Sequence, residues 1–390
     1  MLLRNPSIRL LFASQALYWS CSMIGITLTA LVGLQLAPLN ILATLPLCLW
    51  MLGNLFTVQP LSLFMQRHGR RPGLMLGAGA GVFGGLLSAL GVWLGDFILF
   101  CLGALPIGAY QASAMYYRFA ALEAAAATEK GRASAYVIGG GVLAALLVPS
   151  LLQWTADLLD APFVGAYLLI ATLALLALIL LSRLREGAAP PRAKAGLKEL
   201  RQLLGSPVIR AAIATTAVGN GLMVLVMNAT PLAMNFCGFA LESSAQVIQW
   251  HMLGMFLPAF LAGPLVDRLG SRRVALLGGV ILLGSATVAL SGLQQLHFLF
   301  SSLLLGLGWN LMLVAGTTLL AEGHDETQRG QAQGLMELLN GMLAAGAAFS
   351  AGVLISGLGW SALNLVILPL VGLAMLMLLP ARRSLLPASS

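Results

Sequence analysis

The sequence predicts an all-α integral membrane protein of twelve transmembrane helices, arranged as two parallel six-helix pseudo-repeats. Three observations predict it. The 390 residues are 59% hydrophobic and only 9% charged, with mean hydropathy +0.92. An ordinary soluble domain is about 25% charged, so lipid must solvate most of this chain. Second, twelve apolar runs reach the roughly 20 residues that a spanning helix needs. Third, every Lys and Arg falls on one side when those runs are threaded alternately through a bilayer.

The runs justify themselves in order. Span 1 (8–32) is entered past Arg4 and Arg9. Span 2 (38–64) ends at Arg67, Arg70 and Arg71, which precede span 3 (72–94). Span 4 (97–120) closes on Arg118, and Lys130 and Arg132 lead into span 5 (133–154). Span 6 (162–182) runs into Arg183, Arg185, Arg192, Lys194, Lys198 and Arg201, and Arg210 opens span 7 (207–234). Arg268, Arg272 and Arg273 separate span 8 (243–266) from span 9 (273–293). Arg329 lies between span 10 (297–320) and span 11 (332–356), and Arg382 and Arg383 follow span 12 (360–379). These are all 21 basic residues; the opposite loops hold acids such as Asp96, Asp157, Asp160 and Glu242. The positive-inside rule then puts both termini in the cytoplasm. The start, MLLRNPSIRL, has no small-residue cleavage site. The net charge of +8 would suggest nucleic acid in a soluble protein; placed in loops between apolar runs, it does not.

Domain organisation follows from the polar stretch 183–206, with Pro190-Pro191 and dense charge. It reads as a cytoplasmic linker between bundles 1–182 and 207–390, with a short surface helix suggested by Leu197, Leu200, Leu203 and Leu204. The two bundles repeat each other. Asn5-Pro6-Ser7-Ile8-Arg9 resembles Ser206-Pro207-Val208-Ile209-Arg210 at an offset of 201. Phe97-Ile98-Leu99-Phe100 resembles His297-Phe298-Leu299-Phe300 at offset 200, and Lys130-Gly131-Arg132 resembles Arg329-Gly330-Gln331 at offset 199. Six spans per half give both halves the same orientation, related by an axis along the membrane normal.

The loop after span 8 reads Gly263-Pro264-Leu265-Val266-Asp267-Arg268-Leu269-Gly270-Ser271-Arg272-Arg273. It resembles the loop signature of the major facilitator superfamily, G-x-L-x-D-R-x-G-x-R-R. A second copy stands after span 2 as Ser62-Leu63-Phe64-Met65-Gln66-Arg67-His68-Gly69-Arg70-Arg71. A carboxylate at a helix end can hold a neighbouring helix, and Gly permits a tight turn and close approach. The gating set is therefore Gly263, Asp267, Arg268, Gly270 and Arg272 with Gln66, Arg67, Gly69 and Arg70. In the family the first copy usually carries the acid; here that place is Gln66, so the latch is expected to rest on the second half. The stretches Tyr117–Glu123, Gly139–Gly141 and Gln249–Phe256 look like a compact bacterial subgroup, mostly without assigned substrates.

The resemblance implies a monomeric secondary active transporter of the bacterial inner membrane, working by alternating access, with no cofactor. It also implies a cavity lined by spans 1, 4, 7 and 10. Those spans do carry polar faces: Gln15 and Tyr18; Tyr110, Gln111, Tyr117 and Arg118; Asn220 and Asn228; Trp309 and Asn310. The alternative for each is interhelical glue. Aromatic, amide and Met side chains with little charge suit a small amphipathic or aromatic organic solute. Spans 6 and 12 are almost purely apolar, as lipid-facing helices should be.

Ionisable groups at membrane depth are functional by default. Arg118 suits an anionic group or snorkelling, and Glu123 is its expected partner five residues on. His251 and Glu337 are the proton-coupling candidates, against a helix–helix hydrogen bond and snorkelling respectively. Span 1 carries no acid in its middle (Ser14, Gln15, Tyr18, Trp19, Ser20), which keeps facilitated diffusion open. The efflux-antiporter signature of span 5 is partial: Gly139 and Pro149 are in place, but Val148 replaces a Gly. No phosphate loop, metal cluster or nucleophile–base pair suggests an enzyme, and a transport-dead sensor or scaffold would call for an apolar cavity. His68 and His324 are expected in solvated loops, and Cys21, Cys48, Cys101 and Cys237 as small buried hydrophobes. The expected partners are the solute, membrane lipid and protons, with no nucleic acid.

Overall fold

The computed structural model describes residues 5–39, 42–156, 162–185 and 197–379. Arg4, Arg192, Lys194, Arg382, Arg383, Asp157 and Asp160, and most of the expected linker, lie outside them. Among the described residues the structure is helical throughout, with no strand.

The first repeat motif explains how each half begins. α1 (Pro6–Leu36) is capped by Asn5, whose side chain accepts from the Ser7 N–H, with Pro at the first helical position. α10 (Pro207–Phe236) is capped by Ser206, accepting from Ile209, again with Pro next. A short acceptor followed by Pro satisfies one orphan N–H and pre-sets φ. In the first half α2 (Leu45–His68) and α3 (Arg70–Leu94) are joined by Gly69 at φ 95°. In the second, α12 (Ala259–Leu269) and α13 (Ser271–Leu290) are joined by Gly270 at φ 85°. The repeated Gly is needed because one residue must leave the L-allowed region for the chain to reverse so tightly.

Three spans are broken helices. Span 4 is α4 (Phe97–Ala114) and α5 (Tyr117–Ala124); span 5 is α6 (Lys130–Ile138) and α7 (Gly141–Ala156); span 8 is α11 (Leu241–Phe256) and α12, interrupted at Pro258. α8 (Val164–Ser182), α9 (Leu197–Gly205), α14 (Gln295–Glu322), α15 (Arg329–Leu365) and α16 (Ile367–Leu378) complete the order. By length and apolarity there are eleven candidate spans, because Arg329–Leu378 runs on for 50 residues. Such a helix would be about 75 Å long at 1.5 Å per residue, more than twice a bilayer core. Gly359 breaks it at φ 79°, restoring the expected twelve. α9 is the expected linker helix: Leu203 is buried, Leu200 packs on the core and Leu204 is exposed.

The halves pack alike internally. Gly53 abuts the Leu105 carbonyl and Gly108 the Trp50 carbonyl, so a Cβ at either would overlap backbone. In the second half Gly254 abuts Leu303 and Gly306 abuts His251 in the same way. Spans 2 and 4 thus cross as spans 8 and 10 do, at offsets of 198 to 201. α8 and α16 present Leu175, Leu176 and Ile179, and Leu370, Leu373 and Leu376, outward, as expected for lipid-facing helices. Cys21 and Cys101 are buried, but Cys237, beyond the end of α10, is exposed and Cys48 half-buried, which corrects the expectation for those two.

Candidate functional site

The halves meet along α2 with α15, α6 with α12 and α14, and α7 with α11. Two seams are related by the repeat. In one, the Asp267 carboxylate at the end of α12 accepts from the Gly131 N–H (2.8 Å) and the Arg132 N–H (3.3 Å) at the start of α6, with the Arg132 guanidinium at 3.4 Å. Gly131 has no room for a Cβ between Asp267 and the Gly263 carbonyl. In the other, Gln66 at the end of α2 donates to the Thr327 carbonyl (2.6 Å), and the Ser62 hydroxyl donates to the Gly330 carbonyl (2.7 Å) at the start of α15. Gly131 and Gly330 are the matched glycines of the offset-199 repeat.

The second seam has a carboxylate, but from another helix. Glu123 on α5 holds Arg70 through two hydrogen bonds and reaches the Arg329 guanidinium across the seam at 3.4 Å. Arg70 also bonds Gln333. This corrects the expected Arg118–Glu123 pair: Glu123 turns to Arg70 and Arg329. Arg67 and Arg268 lie in the last turns of α2 and α12, and Arg272 opens α13.

Arg118 points inward instead. Its guanidinium pairs with Glu337 on α15, donates to the Thr317 hydroxyl on α14 (3.0 Å) and lies over the Phe119 ring. Both members of the pair are at least nine-tenths buried, so neither snorkels to water. Asn340, one turn beyond Glu337, donates to the same carboxylate at 3.4 Å.

Above the pair, about 20 Å from the start of α1 at 1.5 Å per residue, aromatic rings from both halves form a row. Tyr110 meets Tyr18 (5.5 Å), Tyr18 meets Trp19 (5.4 Å), Trp19 meets Phe256 (4.8 Å) and Phe256 meets Trp309 (6.3 Å). Amides flank the row. The Trp309 indole N–H donates to Asn220 (3.2 Å), and the Trp50 indole N–H donates to Gln111 (2.6 Å). Gln111, Asn220, Asn228 and Trp19 are half-exposed, whereas Gln15, Tyr18, Tyr110 and Tyr117 are buried.

The expected polar faces are thus brought together only in part. Tyr110 joins the aromatic row and stays beside Tyr117 across the break at Met115–Tyr116, while Gln111 and Arg118 reach different neighbours, Trp50 and Glu337. Asn310 is fully buried and donates to the Met255 carbonyl, the glue role. His251 is buried with Nδ1 on the Ser302 carbonyl at 2.8 Å, a bond between α11 and α14. His68 is exposed and stacks on Phe64; His324 is half-buried, and that burial pushes its pKa below the ordinary imidazole value. Sequence reasoning missed Trp19, Trp50, Phe256 and Asn340. Only Asn340 carried a signal, its i+3 spacing from Glu337. Among the described residues no group of His, Cys, Asp and Glu could hold a metal.

Comparison with known proteins accounts for this architecture. The family model of the Major Facilitator Superfamily matches residues 10–249 and 217–390. The riboflavin transporter RfnT of Brucella anthropi is 37% identical over 377 residues, 96% of this chain and 95% of that protein. The uncharacterized MFS-type transporter YdeG of Bacillus subtilis is 28% identical over 91% of this chain and 86% of its own length. In structure, the MFS transporter FucP in its outward conformation superposes with TM-score 0.77 at 14% identity, over 95% of this chain and 97% of that one. The duplicated twelve-span fold and the full-length family match lead to one conclusion: the chain belongs to the major facilitator superfamily and is a multi-pass membrane transporter of a small-molecule solute.

Proposed function

We propose that the chain is a secondary transporter of the bacterial inner membrane, with both termini cytoplasmic, that carries a planar heteroaromatic solute by alternating access. Riboflavin is the first candidate, by analogy with the Brucella relative. The observation that carries the reading is the row Tyr110–Tyr18–Trp19–Phe256–Trp309, drawn from both halves and flanked by amides. Offset or tilted aromatic contacts contribute about 0.5–1.5 kcal/mol each beyond area burial, and a flat conjugated ring inserted in such a row makes the same contacts. Separation of the halves rearranges Trp19–Phe256, which couples occupancy to the alternation. The closed seams lie at the Arg-rich end, so this conformation is one sealed toward the cytoplasm.

Proton coupling fits best at Glu337. It is a buried carboxylate bound across the halves to Arg118; protonation would release Arg118 and loosen that tie, because an unpaired buried charge is costly. His251, already bonded to a carbonyl, is the weaker candidate. One observation favours a second reading, facilitated diffusion: span 1 carries no acid. Riboflavin flux into proteoliposomes with and without an imposed pH gradient tests both. Gradient-driven accumulation is expected; counterflow indifferent to the gradient would leave the uniporter, and absence of riboflavin flux would remove the substrate assignment.

A further inference from the structure

We propose that Asn220 reads the hydrogen-bonding edge of the solute while the Trp309 ring takes its face, and that Asn340 links this occupancy to the Arg118–Glu337 pair. The proposal rests on the reading of the chain as a transporter of a planar heteroaromatic solute.

Four observations carry it. First, Asn220 is half-exposed while Asn310 and Asn340 are buried, so among these amides it is the one within reach of a ligand. Second, its own bonds are weak: it accepts from the Trp309 indole at 3.2 Å and donates to the Asn340 carbonyl at 3.4 Å. A 3.4 Å contact is beyond the usual range for N–H···O, so little is lost when the amide turns to a ligand. Third, the Asn340 side-chain oxygen is buried without a hydrogen-bond partner, so a rearrangement that gave it one would be favoured. Fourth, the Asn340 amide nitrogen lies 3.4 Å from Glu337, whose carboxylate holds Arg118 of the other half. Trp309, Asn220, Asn340, Glu337 and Arg118 therefore lie side by side in one line of polar neighbours from the aromatic row to the tie between halves.

The ligand chemistry follows from the amides. An Asn side chain offers a donor and an acceptor side by side. An imide edge, with N–H set between two carbonyls, is its complement, and the flavin ring carries that edge. A site built to hydrogen-bond a solute N–H rejects an analogue lacking it, because its own polar groups are then left unpaired. When Asn220 turns to the solute it releases the Asn340 carbonyl one helical turn from Glu337, which is where occupancy would bear on the ion pair.

The test uses purified full-length protein in nanodiscs, with flavin fluorescence quenching as the binding readout. The probes are riboflavin and its analogue methylated on the imide nitrogen. Wild type is expected to prefer riboflavin by roughly tenfold or more. Asn220→Ala should weaken riboflavin binding by roughly tenfold and erase the preference; near-isosteric Asn220→Asp repeats the measurement if the Ala variant does not fold. Glu337→Gln should change riboflavin affinity in the wild-type background and leave it unchanged when Asn340→Ala is also present. If wild type binds riboflavin but both Asn220 variants retain affinity and preference, the edge-reading role is overturned. If the Glu337→Gln effect survives Asn340→Ala, the link is overturned. A wild-type protein that binds neither flavin would instead sink the solute assignment itself.

Discussion

At the scale of single residues the decisive group is the Arg118–Glu337 pair. Removing one member of a buried pair strands the other, which costs about 3–5 kcal/mol, whereas replacing both by apolar groups is often neutral. Glu337→Gln should therefore lower stability by about 3 kcal/mol, and Arg118→Leu with Glu337→Leu should regain most of it. Thermal unfolding of the purified variants checks this, and a pair of no structural weight would leave all three alike. Asp267→Asn should weaken the α6 seam by about 1 kcal/mol, the usual worth of an N-cap acceptor. Labelling of a cysteine placed in the α6–α12 seam should then rise. The sequence already singled out Arg118 and Glu337, because charge at membrane depth is rare enough to be read directly, and Asp267 through the repeated loop signature. It mispaired Arg118 with Glu123. Neighbours in sequence compete with partners some two hundred positions away, and only the approach of α5 to Thr317 on α14 and to Glu337 and Arg329 on α15 decides between them.

Helices and their breaks form the next scale. The seams depend on Gly131 and Gly330, which let an α-helix start directly against a side chain from the opposite half. Gly131→Ala would drive a methyl into Asp267 and the Gly263 carbonyl. It should hold the Arg-rich end open and reduce transport at least tenfold with little loss of expression. Cysteine accessibility of that end, compared with flux, is the check; normal flux with a closed end would contradict the account. The matched glycines were visible in the sequence as a repeat at offset 199. Their use was not, since a repeat says which places correspond and nothing about what lies opposite. Span 4 shows the limit in part: periodicity treats 110–118 as one helix, and across the break at Met115–Tyr116 Tyr110 keeps Tyr117 beside it while Gln111 and Arg118 part.

For the whole molecule, charge and duplication were the legible features. Twelve spans in two like-oriented halves follow from hydropathy, the charge split and the offsets. The aromatic row did not follow, because its members are scattered through apolar stretches where a ring is indistinguishable from ordinary core. The proposed threading has a native reporter. Cys237 is exposed just past the end of α10, the end opposite Arg210. In intact cells a membrane-impermeant maleimide should label it from outside, and Cys237→Ser should abolish that signal. Labelling only after the cells are broken would reverse the assigned orientation.

The two seams also differ in what happens to their carboxylates when the halves part. Glu123 has Arg70 on its own half, so it keeps a counter-charge after Arg329 leaves. Asp267 finds all its partners on the other half: the Gly131 and Arg132 N–H groups and the Arg132 guanidinium. Parting costs one carboxylate much more than the other. A duplicated protein with equal seams would open like jaws, about its own symmetry axis. With unequal seams the expected opening is lopsided, the α2–α15 edge parting more readily than the edge that Asp267 holds.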